Sequence, residues 1–313
     1  LECRRVLFRS PVQHIDVDPT ETIPVAIAAA DFNGDGHLDI VTLSAASYVA
    51  SLRHGVGDGT FGVHTEYAVG SGPSQLAVGD FDNDGRKDIA VVNSGENTVG
   101  VLMNNGLGGF FNYSFSLVGA APSSIAVKDF NSDSYDDIAV VNNIDNSLMV
   151  LVNDQFGSFL PPTPMSTGMG PISMVSADID GDNILDILVA NLDSHTLSPF
   201  YGNGDGSFIT GSEVDTLTNP IFVAAGDLDG NGNTDVVISS SGTQQIQIFI
   251  GQGNGVLGLE SATESNPAAT VLADVDNDGL QDLIVVQTGS NKTSIFKGNG
   301  SGLWTQIGRA SCR

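Results

Sequence analysis

Six nine-residue segments of this chain align without gaps, and their spacing constrains what the chain can fold into. They are DFNGDGHLD from Asp31, DFDNDGRKD from Asp80, DFNSDSYDD from Asp129, DIDGDNILD from Asp178, DLDGNGNTD from Asp227 and DVDNDGLQD from Asp274. Successive starts lie 49, 49, 49, 49 and 47 residues apart. A fixed period of this size marks a repeat architecture, in which each unit buries its apolar surface against its neighbours. The units run near 23–70, 71–119, 120–168, 169–217, 218–264 and 265–306.

Each unit reads as four strands. A small, apolar run precedes every segment: PVAIAAAD, PSQLAVGD, PSSIAVKD, PISMVSAD, PIFVAAGD and PAATVLAD. Each begins with Pro, which can open a strand but not sit inside a central one. A β-branched run such as DIVTL, DIAVV or DLIVV follows, nearly continuous in its apolarity, as in strands buried on both faces. The third strand alternates, as in NTVGVLMN, NSLMVLVN and QQIQIFIG. A glycine-rich turn comes next, carrying Asn-Gly or Asp-Gly hairpin signals, and then a more polar fourth strand. No capped stretch shows helical periodicity. Four strands per unit, repeated, predict an all-β fold: a β-propeller of four-stranded blades. No run of apolar residues is long enough for a membrane helix.

The repeated segment has oxygen-bearing side chains at positions 1, 3, 5 and 9. These are Asp31, Asn33, Asp35 and Asp39; Asp80, Asp82, Asp84 and Asp88; Asp129, Asn131, Asp133 and Asp137; Asp178, Asp180, Asp182 and Asp186; Asp227, Asp229, Asn231 and Asp235; and Asp274, Asp276, Asp278 and Asp282. A Ca²⁺ ion takes roughly six to eight hard oxygen ligands at about 2.3–2.6 Å. A tight loop turning about the ion points alternate side chains inward, and a residue at position 6 with φ > 0 permits the turn. The position-7 carbonyl then adds a backbone ligand, from His37, Arg86, Tyr135, Ile184, Asn233 and Leu280. No His or Cys side chain stands in register, which argues against zinc. Magnesium suits the loop less well, because it prefers a smaller, more hydrated site. An EF-hand would require Glu at position 12 and flanking helices, whereas position 12 is Thr42, Val91, Val140, Val189, Ile238 and Val285. Asx-turns without metal leave the crowding of carboxylates uncompensated. One Ca²⁺ per repeat, up to six, is the expected cofactor.

The third site is predicted to be the weakest. Position 6 is Gly in four loops, Asn183 in the fourth and Ser134 in the third, and Asn131 there also replaces a carboxylate. Serine tolerates left-handed geometry poorly.

Both ends break the pattern. Leu1–Ser10 (LECRRVLFRS) and Ile307–Arg313 (IGRASCR) resemble translated sequencing-adapter DNA and are read as non-native. Cys3 and Cys312, the only cysteines, lie there, so residues 11–306 carry no thiol chemistry. The whole chain has a net charge of −26. Setting both ends aside removes Glu2 and five arginines and leaves 36 acids and 6 bases, a net of −30. Of those acids, 21 are aspartates at the positions above, so six Ca²⁺ would bring the net to −18. The acidity is concentrated in the loops, and it argues against nucleic acid or anionic membrane as a partner.

The loop, its flanking strands and the Gly-x-Phe turn resemble the FG-GAP / VCBS repeat, which also builds the integrin α-subunit propeller. The resemblance spans nearly all of residues 20–306. It implies a propeller, usually seven-bladed, whose loops bind calcium through these positions and join a blade's first and second strands. The Phe-Gly pair stands intact at Phe61-Gly62, with Phe110, Phe159, Phe208, Leu257 and Trp304 in the other units. Residues 11–18 read as the outer strand of an earlier blade. A seven-bladed ring, truncated within one blade, is therefore favoured over a complete six-bladed one.

The functional expectation is an extracellular or cell-surface binding or adhesion module in which calcium is structural. By strand direction, the calcium loops and Gly-rich hairpins share one face. The opposite face collects the loops NSGEN (93–97), NNIDN (142–146), NLDSH (191–195), SSSGT (239–243) and QTGSNK (287–292), with turns such as Gly72-Pro73 and Gly170-Pro171. These polar loops suit a glycan or protein ligand. Part of a secreted polysaccharide-acting enzyme, or a passive spacer in an adhesin, are the alternatives. Catalysis is not expected: His14, His37, His54, His64 and His195 show no motif spacing, and no general acid/base pair stands apart from the loops.

Overall fold

The computed structural model describes residues 23–255, 257–262, 267–287, 292–298 and 305–311. The expected strand over 11–18 and most of the loop at 287–292 lie outside the described residues. Among the described residues there is no helix, and the strands form six antiparallel sheets, one per repeat. The fold is an all-β propeller. In the first sheet, Pro24–Ala30, Asp39–Ser44, Val49–Gly55 and Phe61–Ala68 lie side by side in chain order.

The sequence pattern accounts for this register. The opening Pro sits at a shift in strand pairing, as between Pro24 and Ala26 or Pro73 and Gln75, where a missing N–H is tolerated. The second strand is the most apolar, and in four units (Asp88–Asn93, Asp137–Asn142, Asp186–Asn191 and Asp235–Ser240) every residue of it is buried. The repeated loop joins the first strand to the second. The residue before it pairs with its ninth residue in each sheet: Ala30 with Asp39, Gly79 with Asp88, Lys128 with Asp137, Ala177 with Asp186, Gly226 with Asp235, and Ala273 with Asp282.

The fourth strand is less regular than the repeat predicts. In the third unit the outer strand is reduced to Met165–Ser166, with a single bridge between Asn153 and Phe159 before it, because Pro161, Pro162 and Pro164 have no N–H to donate. In the fourth unit it is split into Phe208–Thr210 and Val214–Asp215. In the sixth, the fourth strand is Thr305–Ser311, so the sheet takes in Ile307–Ser311 of the adapter-like segment.

First strands of consecutive sheets pack side by side, and five apolar clusters fill the spaces between them. Between the first two sheets, Phe32, Val41 and Leu43 meet Ile89, Val91 and Leu102. Aromatic residues tie each of the first three loops to the next blade. Phe32 stacks edge-on against Phe110 at 5.4 Å, Phe81 against Phe159 at 5.8 Å, and Phe130 against Phe208 at 5.7 Å. Among the described residues no such cluster joins the sixth sheet to the first. The outer flanks of these two sheets are correspondingly open: Ile27 is 67% exposed and Val271 53%.

Candidate metal sites

The loop is built around two aspartates with different surroundings. Position 1 organises the turn. Asp31 Oδ1 accepts from the Gly34 N–H at 2.7 Å and Oδ2 from the Gly36 N–H at 2.8 Å. The bond from the sixth residue recurs in every loop, from Gly85, Ser134, Asn183, Gly232 and Gly279. Position 5 in turn accepts from the N–H of position 7, whose donors are His37, Arg86, Tyr135, Ile184, Asn233 and Leu280. The chemical variety of those six side chains suits a position that acts through its backbone.

Position 6 is left-handed in every loop, including Ser134 at φ +75° and Asn183 at +66°. Position 4 is left-handed too, which the sequence reading missed. Its residues are Gly34, Asn83, Ser132, Gly181, Gly230 and Asn277. The signal was legible, because Gly and Asn are the residues that adopt this conformation most readily.

Position 9 is buried in all six loops, through Asp39, Asp88, Asp137, Asp186, Asp235 and Asp282. Each carboxylate accepts two backbone N–H groups. One comes from position 2, as from Phe81 to Asp88 Oδ2 at 2.8 Å, and recurs at Phe32, Phe130, Ile179, Leu228 and Val275. The other comes from the third strand, sixteen residues on, as from Asn104 to Asp88 Oδ1 at 2.7 Å. Gly55, Asn153, Gly202, Gly251 and Gly298 make the same bond. In two blades this bond extends further. The Asn104 side chain donates to Phe32 O and that of Asn153 to Phe81 O, so each reaches the loop of the preceding blade.

The acids converge. Asp80, Asp82 and Asp88 bring carboxylate oxygens within 4.8 Å of one another, as do Asp178, Asp180 and Asp186; Asp227, Asp229 and Asp235; and Asp274, Asp276 and Asp282. In the first and third loops position 3 is Asn. There Asn33 Nδ2 donates to Asp35 at 3.0 Å and Asn131 Nδ2 to Asp133 at 3.1 Å, in place of a third acid.

Several features point to a cation. Burial, together with the Asp80 charge, pushes the Asp82 carboxyl up. Burial likewise pushes Asp88 and Asp137 up to about 6, and it raises Asp186 and Asp235. Asp82 Oδ1 is buried without a hydrogen-bond donor. A buried acceptor left alone is costly, and a divalent ion bound by Asp80, Asp82, Asp84 and Asp88 would satisfy it. The donor set is oxygen only, which suits Ca²⁺.

The FG-GAP-like repeat model matches residues 31–91, 80–140, 129–189, 178–238 and 227–285, each match running from one loop through the second strand of the next unit. The chain belongs to the FG-GAP-like repeat family. A sequence search of curated proteins finds no match. Among solved structures, a putative 6-phosphogluconolactonase from Bacteroides fragilis matches this FG-GAP-like chain with a TM-score of 0.68 at 15% identity, over 92% of this chain and 84% of that one. Virginiamycin B lyase from Staphylococcus aureus gives 0.62 at 14% identity, over 91% and 84%. An Agrocybe aegerita lectin, described with non-reducing terminal N-acetylglucosamine, gives 0.62 at 19% identity, over 90% and 79%. At these identities the likeness is one of fold. The same fold serves a lyase and a lectin, so chemistry must be argued from this chain's own residues.

Proposed function

We propose that this chain is a calcium-binding β-propeller that works as an extracellular or cell-surface binding module, with one structural Ca²⁺ per repeat, up to six. The observation that carries this reading is the buried, donorless Asp82 oxygen inside a triad of converging carboxylates. Loops of this kind fill at the millimolar Ca²⁺ found outside cells, which is the argument for secretion. An ion bound at 100 times its Kd adds about 2.7 kcal/mol of stability per site. The test is thermal unfolding in millimolar Ca²⁺ and in EDTA. A melting temperature raised by many degrees in calcium is expected, and identical melts would overturn the reading.

The partner surface is assigned to the face opposite the calcium loops. There the turns between second and third strands contact the inter-blade turns, as where the Ser94 N–H donates to Gly72 O at 2.9 Å. Similarly the Leu192 N–H donates to Gly170 O at 2.8 Å. The exposed Glu96, Asp145 and Asp193 lie in these turns or beside them, with polar groups suited to a glycan or a protein. The lectin neighbour makes a glycan array the first screen, run with and without calcium. The module is proposed to be non-catalytic, since among the described residues the raised carboxylates all belong to the loops.

A further inference from the structure

One register position brings a different side chain against the loop in each blade. It is the residue before the N–H that bonds the ninth aspartate, and it is occupied by His54, Met103, Val152, Tyr201, Ile250 and Lys297. In four blades it is covered by the following blade. Met103, Val152 and Ile250 pack into the apolar clusters between sheets, and the Tyr201 hydroxyl donates to Gly255 O at 3.4 Å. His54 Nε2 lies 2.8 Å from Gly108 O of the next hairpin, while its Nδ1 stands 3.1 Å from Asp39, too poorly aligned for a hydrogen bond.

Lys297 behaves differently. Its ammonium donates to Asp278 Oδ2 at 2.8 Å and contacts Asp276 Oδ2 as well. These are positions 5 and 3 of the sixth loop, two of its four acidic groups. We propose that Lys297 is a tethered competitor for the cation of the sixth loop. The loop has the same four carboxylates as the second and fourth, and it fills after them. This rests on the calcium reading above.

The chemistry is direct. An ammonium and a divalent ion both require the carboxylate oxygens of Asp276 and Asp278. For the ion to bind, the ammonium must leave, and it leaves as a like charge a few ångströms away. Arg86 is not equivalent. It pairs with one carboxylate, Asp84, from two residues away within its own loop, and acts on Asp82 only through its charge, whereas Lys297 reaches across from the third strand and bridges two.

The test is a calcium titration by calorimetry on the wild type and on Lys297→Met and Lys297→Gln, with melting curves in EDTA to confirm folding. Lys297 is half-exposed, so both variants should fold. The expected result is tightening of one site on the order of tenfold or more, from removal of a unit charge beside a divalent ion. The gain should vanish in an Asp274→Ala background, which disables the same loop. Folded variants with unchanged isotherms overturn the proposal while leaving the calcium reading intact. No calcium binding by any of the proteins overturns both.

Discussion

Position 9 and positions 1, 3 and 5 of the second, fourth and sixth loops carry the same functional group in different settings. The ninth aspartate is buried and holds two N–H groups, one from the loop and one from the third strand. The others stand at the rim, partly exposed, and accept mainly from N–H groups of their own loop. The inner aspartate is therefore part of the fold with or without an ion, while the rim aspartates are arranged for the ion. A cation at the centre would join the two sets.

The largest expected effect comes from removing the inner group. Asp186→Ala leaves the Ile179 and Gly202 N–H groups without their acceptor, the first of them fully buried. A loss of about 2–6 kcal/mol is expected, at about 1–3 kcal/mol for each unsatisfied group. It should be seen in EDTA and be larger still in calcium, where a ligand is lost as well. Asp182→Ala, at the rim, should change the EDTA melt by less than about 0.5 kcal/mol and lower stability only when calcium is present. Equal losses from both variants in EDTA would erase the distinction.

An effect of intermediate size comes from pH. Burial holds Asp88 and Asp137 at about 6 without an ion, above the unfolded value of about 3.9. Between about pH 4 and 6 the folded metal-free protein therefore binds more protons than the unfolded chain, and these groups make it more stable as pH falls through that window. Calcium needs the ionised carboxylates, so its contribution rises with pH across the same range. From these groups, melts in EDTA should improve from pH 7 to pH 5, and the increment due to calcium should shrink. A calcium increment independent of pH would count against the inner aspartates as ligands.

The smallest expected effect sharpens the comparison among rims. Ser134 stands at φ +75°, where serine is strained. Ser134→Gly should stabilise the protein by about 0.5–1 kcal/mol, the relief of strain being partly offset by glycine's freedom in the unfolded chain. It should also tighten the third site severalfold. A calorimetric profile unchanged from the wild type would show that the missing acid at Asn131, not the backbone, limits that loop.

Much of this was legible in the sequence because it is local and repeated. The start of each unit's first strand follows from its Pro, the second strand from its β-branched run, and the loop from oxygen-bearing residues spaced two apart. Six copies turned each weak signal into a strong one. Position 4 was readable and was passed over. The outer strand of the third unit was not deduced, although Pro161, Pro162 and Pro164 carry the reason for its shortness.

The sequence by itself determined the repeat, the strand order within each unit and the set of acidic groups, since all of these lie within one period. Only the tertiary structure decided which groups meet between strands and between blades. It joined Asp88 to the N–H of Asn104, set Asn104 against the loop of the preceding blade, and laid Lys297 over Asp276 and Asp278. The physical reason is that strand pairing fixes register across a sheet, and sheet packing fixes which side chain covers which loop. Neither is encoded in the spacing of any one segment.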